Sequence, residues 1–143
     1  MRKYDFAQSL YSISRSFRQT FGRMVSDDDL TLAQWRALSY LSRNDMCRQV
    51  DLANLLEIKP ITLARVIDKL EELGLVDRVL DKTDRRVFRL TLTTKAAPVI
   101  KRMRELINSV QEQALDGLDE KDRAVLVKYM IKIVDNLNRS EDK

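Results

Sequence analysis

Between Asp51 and Thr93 the period of the apolar residues changes. Two short stretches with helical spacing run into a stretch that alternates, and the charged segment Lys82-Thr83-Asp84-Arg85-Arg86 divides the alternating arms. Few architectures accept that order, because a helical pattern cannot bury its apolar residues as a strand, nor an alternating one as a helix. The second helical stretch, Pro60 to Leu73, sorts cleanly when each residue is advanced about 100° around an axis. Leu63, Val66, Ile67, Leu70 and Leu73 fall on one face, and Ile61, Thr62, Arg65 and Lys69 on the other. Its ends are marked as well. Ile58 and Lys59 form a turn, and Pro60 suits the first helical position, where its missing N–H and fixed φ cost nothing. Gly74 ends the helix from the position where a positive φ is useful.

The preceding helix runs through Val50, Leu52, Ala53, Leu55 and Leu56 after a break at Asn44 and Asp45, and the small Ala53 leaves room for a neighbouring helix. Beyond Gly74, Leu75 to Leu80 is rich in β-formers. Phe88, Leu90 and Leu92 then alternate with Val87, Arg89 and Thr91, as a half-buried strand requires. Two helices followed by such a hairpin are the layout of a winged helix-turn-helix. A short helix with leucines behind it and Thr, Arg and Lys in front has the shape and chemistry to enter a DNA major groove. A solvated face on an ordinary three-helix domain would show the same outer residues, and the hairpin is what separates the two. In residues 82–89, Lys82, Arg85, Arg86 and Arg89 stand against Asp84 alone. Such a local basic projection is a more specific sign of phosphate contact than the net charge of +4.

On the N-terminal side, Phe6, Leu10, Ile13, Phe17 and Phe21 recur at steps of three and four, predicting a helix from about Tyr4 to Met24. Asp27, Asp28 and Asp29 interrupt it. Thr31 with Gln34 three positions later resembles a capping box opening a second helix, with Leu32, Trp35, Leu38 and Leu41 inward. At that spacing Trp35 is assigned to the core rather than to a ligand pocket. After the hairpin, Thr93 or Thr94 is expected to cap a helix with Pro98 near its first turn, and Val99, Met103, Leu106, Ile107 and Val110 carry it to about Leu115. Gly117 separates it from a last helix bearing Val125, Leu126, Met130, Ile133, Val134 and Leu137.

The expected fold class is mainly α with a small β-hairpin, one domain over residues 1–143. Its winged helix-turn-helix core spans 30–93, flanked by dimerisation helices at 1–29 and 94–143. The outer apolar stripes exceed what that core can absorb, and helices from both ends of a chain are well placed to build a two-fold homodimer.

Composition excludes several other functions. With 44% hydrophobic and 34% charged residues the chain is neither disordered nor membrane-spanning, and no apolar run approaches the roughly 18 residues of a transmembrane helix. No signal-peptide core follows Met1, and the single Cys47 excludes an intramolecular disulfide, so a soluble, cytoplasmic protein without a membrane partner is expected. There is no histidine, so the usual general base and the commonest zinc ligand are missing, and one cysteine cannot build a thiolate site. Three glycines form no phosphate-binding loop, and the carboxylates lie beside Lys or Arg at helical spacing. The expectation is no catalysis, no cofactor and no bound metal.

Several segments carry a family resemblance: Leu30-Thr31-x-x-Gln34-Trp35-x-x-Leu38, Leu52-Ala53 followed by Ile58, Arg65-x-x-Asp68-x-Leu70-Glu71-x-x-Gly74-Leu75-Val76, Asp84-Arg85-Arg86 with Leu90-Thr91 or Leu92-Thr93 behind it, and Lys95-Ala96-x-Pro98. Across nearly its whole length the chain resembles the MarR family of bacterial transcription regulators, and its SlyA-like branch in particular. The resemblance implies a homodimer on a pseudo-palindromic operator in double-stranded DNA, with each recognition helix in a major groove and each wing at the adjacent minor groove. The DNA-binding residues it points to are Lys59, Pro60, Ile61, Thr62, Arg65, Lys69, Asp84, Arg85 and Arg86. Arg65 and Lys69 can bond phosphates or base edges, while Ile61 and Thr62 offer methyls and a hydroxyl to bases. Arg86 matches the family's wing arginine, suited to a narrow minor groove, and Asp84 would hold its guanidinium in a charge-assisted pair.

The family also implies modulation by a small aromatic or phenolic effector between the dimer helices and the winged domain. No motif here assigns that ligand site. Cys47 lies just ahead of the third helix rather than on the first, where peroxide-sensing members keep their cysteine, so redox sensing does not carry over. The alternative function is a winged-helix module whose exposed face binds another protein, since a fold does not fix a function.

Overall fold

The computed structural model describes residues 5–27 and 29–139, so Tyr4 and Asp28 lie outside the described residues. Helix α1 spans Phe6–Met24, and the Asp5 carboxylate caps it by accepting from the Gln8 N–H at 3.1 Å. Helix α2, Leu32–Leu41, opens on the expected capping box: the Gln34 N–H donates to Thr31 Oγ1 at 3.2 Å and the Thr31 N–H to Gln34 Oε1 at 3.0 Å. The chain continues through β1 (Cys47–Arg48), α3 (Gln49–Leu56), α4 (Pro60–Glu72), β2 (Val76–Leu80), β3 (Phe88–Leu92), α5 (Ala96–Ala114) and α6 (Glu120–Asn138). It divides into two compact units, residues 1–108 and residues 109–143.

In the first unit, α2, α3 and α4 pack into a three-helix core. Leu38, Leu52, Leu63, Ile67 and Leu70 are fully buried there, with Trp35 beside them as expected. Ala53 is buried on α3, which packs on α4. Pro60 occupies the first position of α4 and Gly74 follows its C-cap at φ +75°. The hairpin lies against this core through Val76 and Leu90, both without exposure.

Four details differ from the sequence reading. The sheet has three strands in the order β1-β3-β2, because Cys47 and Arg48 pair antiparallel with Leu90 and Arg89; two residues are too short to show a period. Leu73 caps α4 instead of continuing it and is 44% exposed, since the stripe ends where the helix ends. Phe88 keeps the alternation but is also 44% exposed, because the hairpin extends beyond the core it packs on. The Thr93 hydroxyl does not cap α5. It donates to the Gly74 carbonyl while the Thr93 N–H donates to Leu75 O at 3.0 Å, closing the base of the hairpin.

An ion pair ties the α1–α2 connection to α5: Arg102 Nε donates to Asp29 Oδ1 at 2.7 Å and Nη2 to Oδ2 at 3.0 Å. The Arg102 guanidinium, helped by the Ser26 N–H, holds the Asp29 carboxyl down at about 2. A lowered pKa stabilises the fold above the unfolded carboxyl's value of about 4, and that contribution is lost as pH falls from there through about 2. Asp29→Asn is therefore expected to melt below wild type at pH 6, with the difference shrinking between pH 4 and 2. Thermal melts across that range check this, and a difference independent of pH would contradict it.

The second unit is a helical hairpin. Gly117 turns the chain at φ +86°, and the Asp119 carboxylate caps α6 through the Asp122 N–H at 2.8 Å. Arg123 pairs with Glu112 at 2.8 Å and donates to the carbonyls of Leu115 and Leu118, stapling the turn. Helix α6 buries no residue: Val127, Tyr129, Met130, Ile131 and Leu137 are each at least half exposed.

Candidate nucleic-acid interface

Helix α4 presents the predicted residues outward. Thr62, Arg65 and Lys69 are exposed and Ile61 is 64% exposed, while Leu63 and Ile67 behind them are fully buried. Lys59 is the N-cap and its side chain accepts no bond from the first turn, so the start of α4, with exposed Lys59 and Pro60, offers free N–H groups and the positive end of the helix dipole. Lys69 lies 3.7 Å from Glu72, whereas Arg65 has no ion-pair partner among the described residues.

The wing tip is ordered by two carboxylates. Asp81 Oδ1 accepts from the Thr83 N–H at 2.8 Å, the Thr83 hydroxyl at 2.7 Å and the Asp84 N–H at 3.1 Å, while Oδ2 accepts from Arg89. These bonds, led by the Thr83 hydroxyl, hold the Asp81 carboxyl far below the usual carboxylate range. Arg89 in turn donates to Met46 O at 2.9 Å, fastening the wing to the loop ahead of β1. Asp84 then grips Arg86: Oδ1 accepts from the Arg86 N–H at 3.0 Å and from Nε at 3.2 Å, and Oδ2 from Nη2 at 3.4 Å. Arg86 lowers the Asp84 pKa accordingly. The Arg86 side chain remains 91% exposed, a cation held in place yet open to solvent. Arg85 and Lys82 beside it are exposed too.

Arg78 joins the two halves, and the sequence reading missed it. From β2 its guanidinium reaches Asp68 at 2.7 Å, Glu71 at 3.2 Å and the Ala64 carbonyl at 3.3 Å, all on α4, and Gln49 at 3.1 Å on α3. The signal was an arginine placed by alternation on the inward face, opposite Leu90. Because one planar fork serves four acceptors, Arg78→Lys cannot replace it. Arg78→Ala should lower stability by roughly 1–3 kcal/mol, the cost of leaving partly buried acceptors unmade, and should loosen the wing relative to α4. Denaturant unfolding checks the first effect, and a midpoint equal to wild type would remove Arg78 from this role.

Elsewhere in the first unit, Ser26, Asp29, Leu30, Pro98, Val99, Arg102 and Met103 line an open hollow of about 430 Å³. Cys47 is partly buried on β1, where burial first and the Asp51 charge second push its thiol pKa up, away from the reactive thiolate. Among the described residues no group of three or more His, Cys, Asp or Glu could hold a metal ion, and no helix is long and apolar enough to cross a membrane.

Residues 30–88, from the residue before the α2 cap to the first residue of β3, match the family model described as the MarR family. Among solved structures, the transcriptional regulator PA3341 is 34% identical over 94% of this chain and 99% of its own, with a TM-score of 0.80. MarR is 25% identical over 99% of this chain and 96% of its own, with a TM-score of 0.87. BpsR of Bordetella bronchiseptica, studied for the regulation of its DNA binding by 6-hydroxynicotinic acid, shares the fold at 24% identity over 90% of this chain and 97% of its own, with a TM-score of 0.81.

Proposed function

This chain belongs to the MarR family, and from that premise we propose that it is a sequence-specific regulator of transcription, binding a pseudo-palindromic promoter operator as a homodimer and carrying out no catalysis. The observation that carries this reading is the Asp84–Arg86 pair, which holds an open guanidinium at the wing tip while Arg78 joins that wing to the outward face of α4. Arg86 would enter a minor groove, and Ile61, Thr62, Arg65 and Lys69 the neighbouring major groove, with Lys59, Pro60 and Arg85 against phosphates. The unburied apolar faces of α1 and α6 support the homodimer: Phe6, Leu10 and Ile13 are about half exposed or more, and so are Val127, Met130 and Ile131. Patches of that extent on a soluble protein mark an interaction surface.

A small aromatic or phenolic effector is part of the same reading. The hollow beside the Asp29–Arg102 pair is its candidate seat, being within the size range of small-molecule sites and bordered by a cation. The resemblance to BpsR, studied for the regulation of its DNA binding by the aromatic acid 6-hydroxynicotinic acid, supports that chemistry.

Titration of selected operator DNA at several salt concentrations tests the proposal. Counterion release makes DNA affinity fall steeply with salt, and a shallow slope would favour the protein-binding module instead. Arg65→Ala should weaken all sequences and reduce the salt slope by about 1 through loss of a phosphate contact, whereas Thr62→Ala should cost roughly 1–3 kcal/mol on the specific site alone. Wild-type affinity from both variants would show that this face of α4 does not meet DNA.

A further inference from the structure

Alternation along the wing places Val76, Arg78 and Leu80 of β2 on one face, and the register sets Leu80 against Phe88 and Arg78 against Leu90. Val76 and Leu90 are fully buried on that face, yet Leu80 is 50% and Phe88 44% exposed. The apolar row thus continues past the core it packs on and ends as a cross-strand pair beside the tip that carries Lys82, Arg85 and Arg86. Core packing explains the inner half of the row and leaves the outer half without an occupant among the described residues.

We infer that Leu80 and Phe88 form an apolar wedge that packs on the deoxyribose faces lining the groove entered by Arg86. The wing would then hold DNA by burying sugar C–H surface as well as by charge. This inference rests on the DNA-binding reading and adds to it two contact residues that no charge argument would find.

Three features select this occupant. The apolar pair is small and adjoins a tip that carries the exposed cations Lys82, Arg85 and Arg86, whereas the buried centre of a protein interface is depleted of charge. A nucleic-acid backbone presents phosphates and apolar sugar edges side by side, so a surface that interleaves cations with apolar groups matches it in both chemistries. The opposite face of the hairpin lacks this match, because its Arg89 is spent on Asp81 and Met46 O. The wedge is also pre-formed. Ladder pairing fixes the backbone of Leu80 and Phe88 with both residues on one face, and Asp81 orders the tip, so little backbone freedom is lost on contact.

The test compares wild type with Leu80→Ala, Phe88→Ala and the double variant on one operator duplex over a range of salt. The double variant should bind on the order of 10-fold more weakly with an unchanged slope of log affinity against log salt, whereas Arg86→Ala should reduce that slope by about 1. Phe88→Leu, which keeps apolar surface, should retain most of the affinity. On a duplex cut short before the flanking segment that the wing meets, wild type and double variant should bind alike. Circular dichroism controls for folding, since both side chains lie outside the buried core. Wild-type affinity in the double variant, or a changed slope, overturns the wedge and leaves the DNA-binding reading standing. A wild-type protein without salt-dependent DNA binding overturns both. A change in sedimentation caused by the double variant would assign the pair to self-association and also overturn the wedge.

Discussion

Arg86→Ala is expected to lower operator affinity by about 10- to 100-fold, corresponding to the roughly 1–3 kcal/mol of a good groove contact, without changing the fold. Its side chain is 91% exposed and its ion pair is with the neighbouring Asp84, so truncation removes nothing from the core. The loss should be largest on operators whose flanks are A·T-rich, where a narrow minor groove concentrates negative potential. Asp84→Ala should give a milder defect of the same kind, because it frees the guanidinium without removing it. A double-mutant cycle separates orientation from charge: the two losses should be less than additive, since Asp84 has nothing to orient once Arg86 is gone. Simple addition would dissolve the orienting pair. Wild-type binding by Arg86→Ala would remove the wing from DNA recognition altogether.

Met130→Asp should have an effect of comparable size through a different route. Met130 lies 51% exposed in the middle of an α6 face where Leu126, Val134 and Leu137 are also uncovered. If that face meets a second copy, each dimer would bury two unpaired carboxylates, at a cost of several kcal/mol. Each 1.4 kcal/mol is a tenfold change, so association should weaken by roughly two orders of magnitude or more. Operator affinity should fall with it, because a monomer engages one half-site instead of two. Sedimentation equilibrium reads the association directly. The substitution should leave helicity unchanged, since Met130 is half exposed on a helix that buries no residue. A wild-type protein that is monomeric at micromolar concentration would remove the homodimer and the palindromic operator together. A dimeric Met130→Asp would move the interface off α6.

Much of the fold was legible in the sequence where the deciding residues lie within a turn or two of one another. The Thr31–Gln34 box, Pro60 opening α4 and Gly74 closing it at positive φ are local chemistry, and each holds in the structure. The inward stripe Leu63, Ile67 and Leu70 and the outward set Thr62, Arg65 and Lys69 follow from the helical period alone. Resemblance to a known family added what period could not supply: the roles expected of Arg86 and Asp84 and the partner they imply.

Tertiary structure decided the rest, for reasons of distance along the chain. Strand β1 exists only because Leu90 returns to meet Cys47, and Arg78 became the joint of wing and α4 only because Gln49 lies 29 residues before it and Asp68 faces it across a turn. Asp81 gains its ion pair only because Arg89 returns opposite it across the hairpin. Phe88 has the alternation of a buried residue, yet its exposure depends on where the core stops. Period and caps are properties of neighbouring residues and can be read from their order. Burial and ion pairing depend on which distant segment arrives opposite, and only the folded chain determines that.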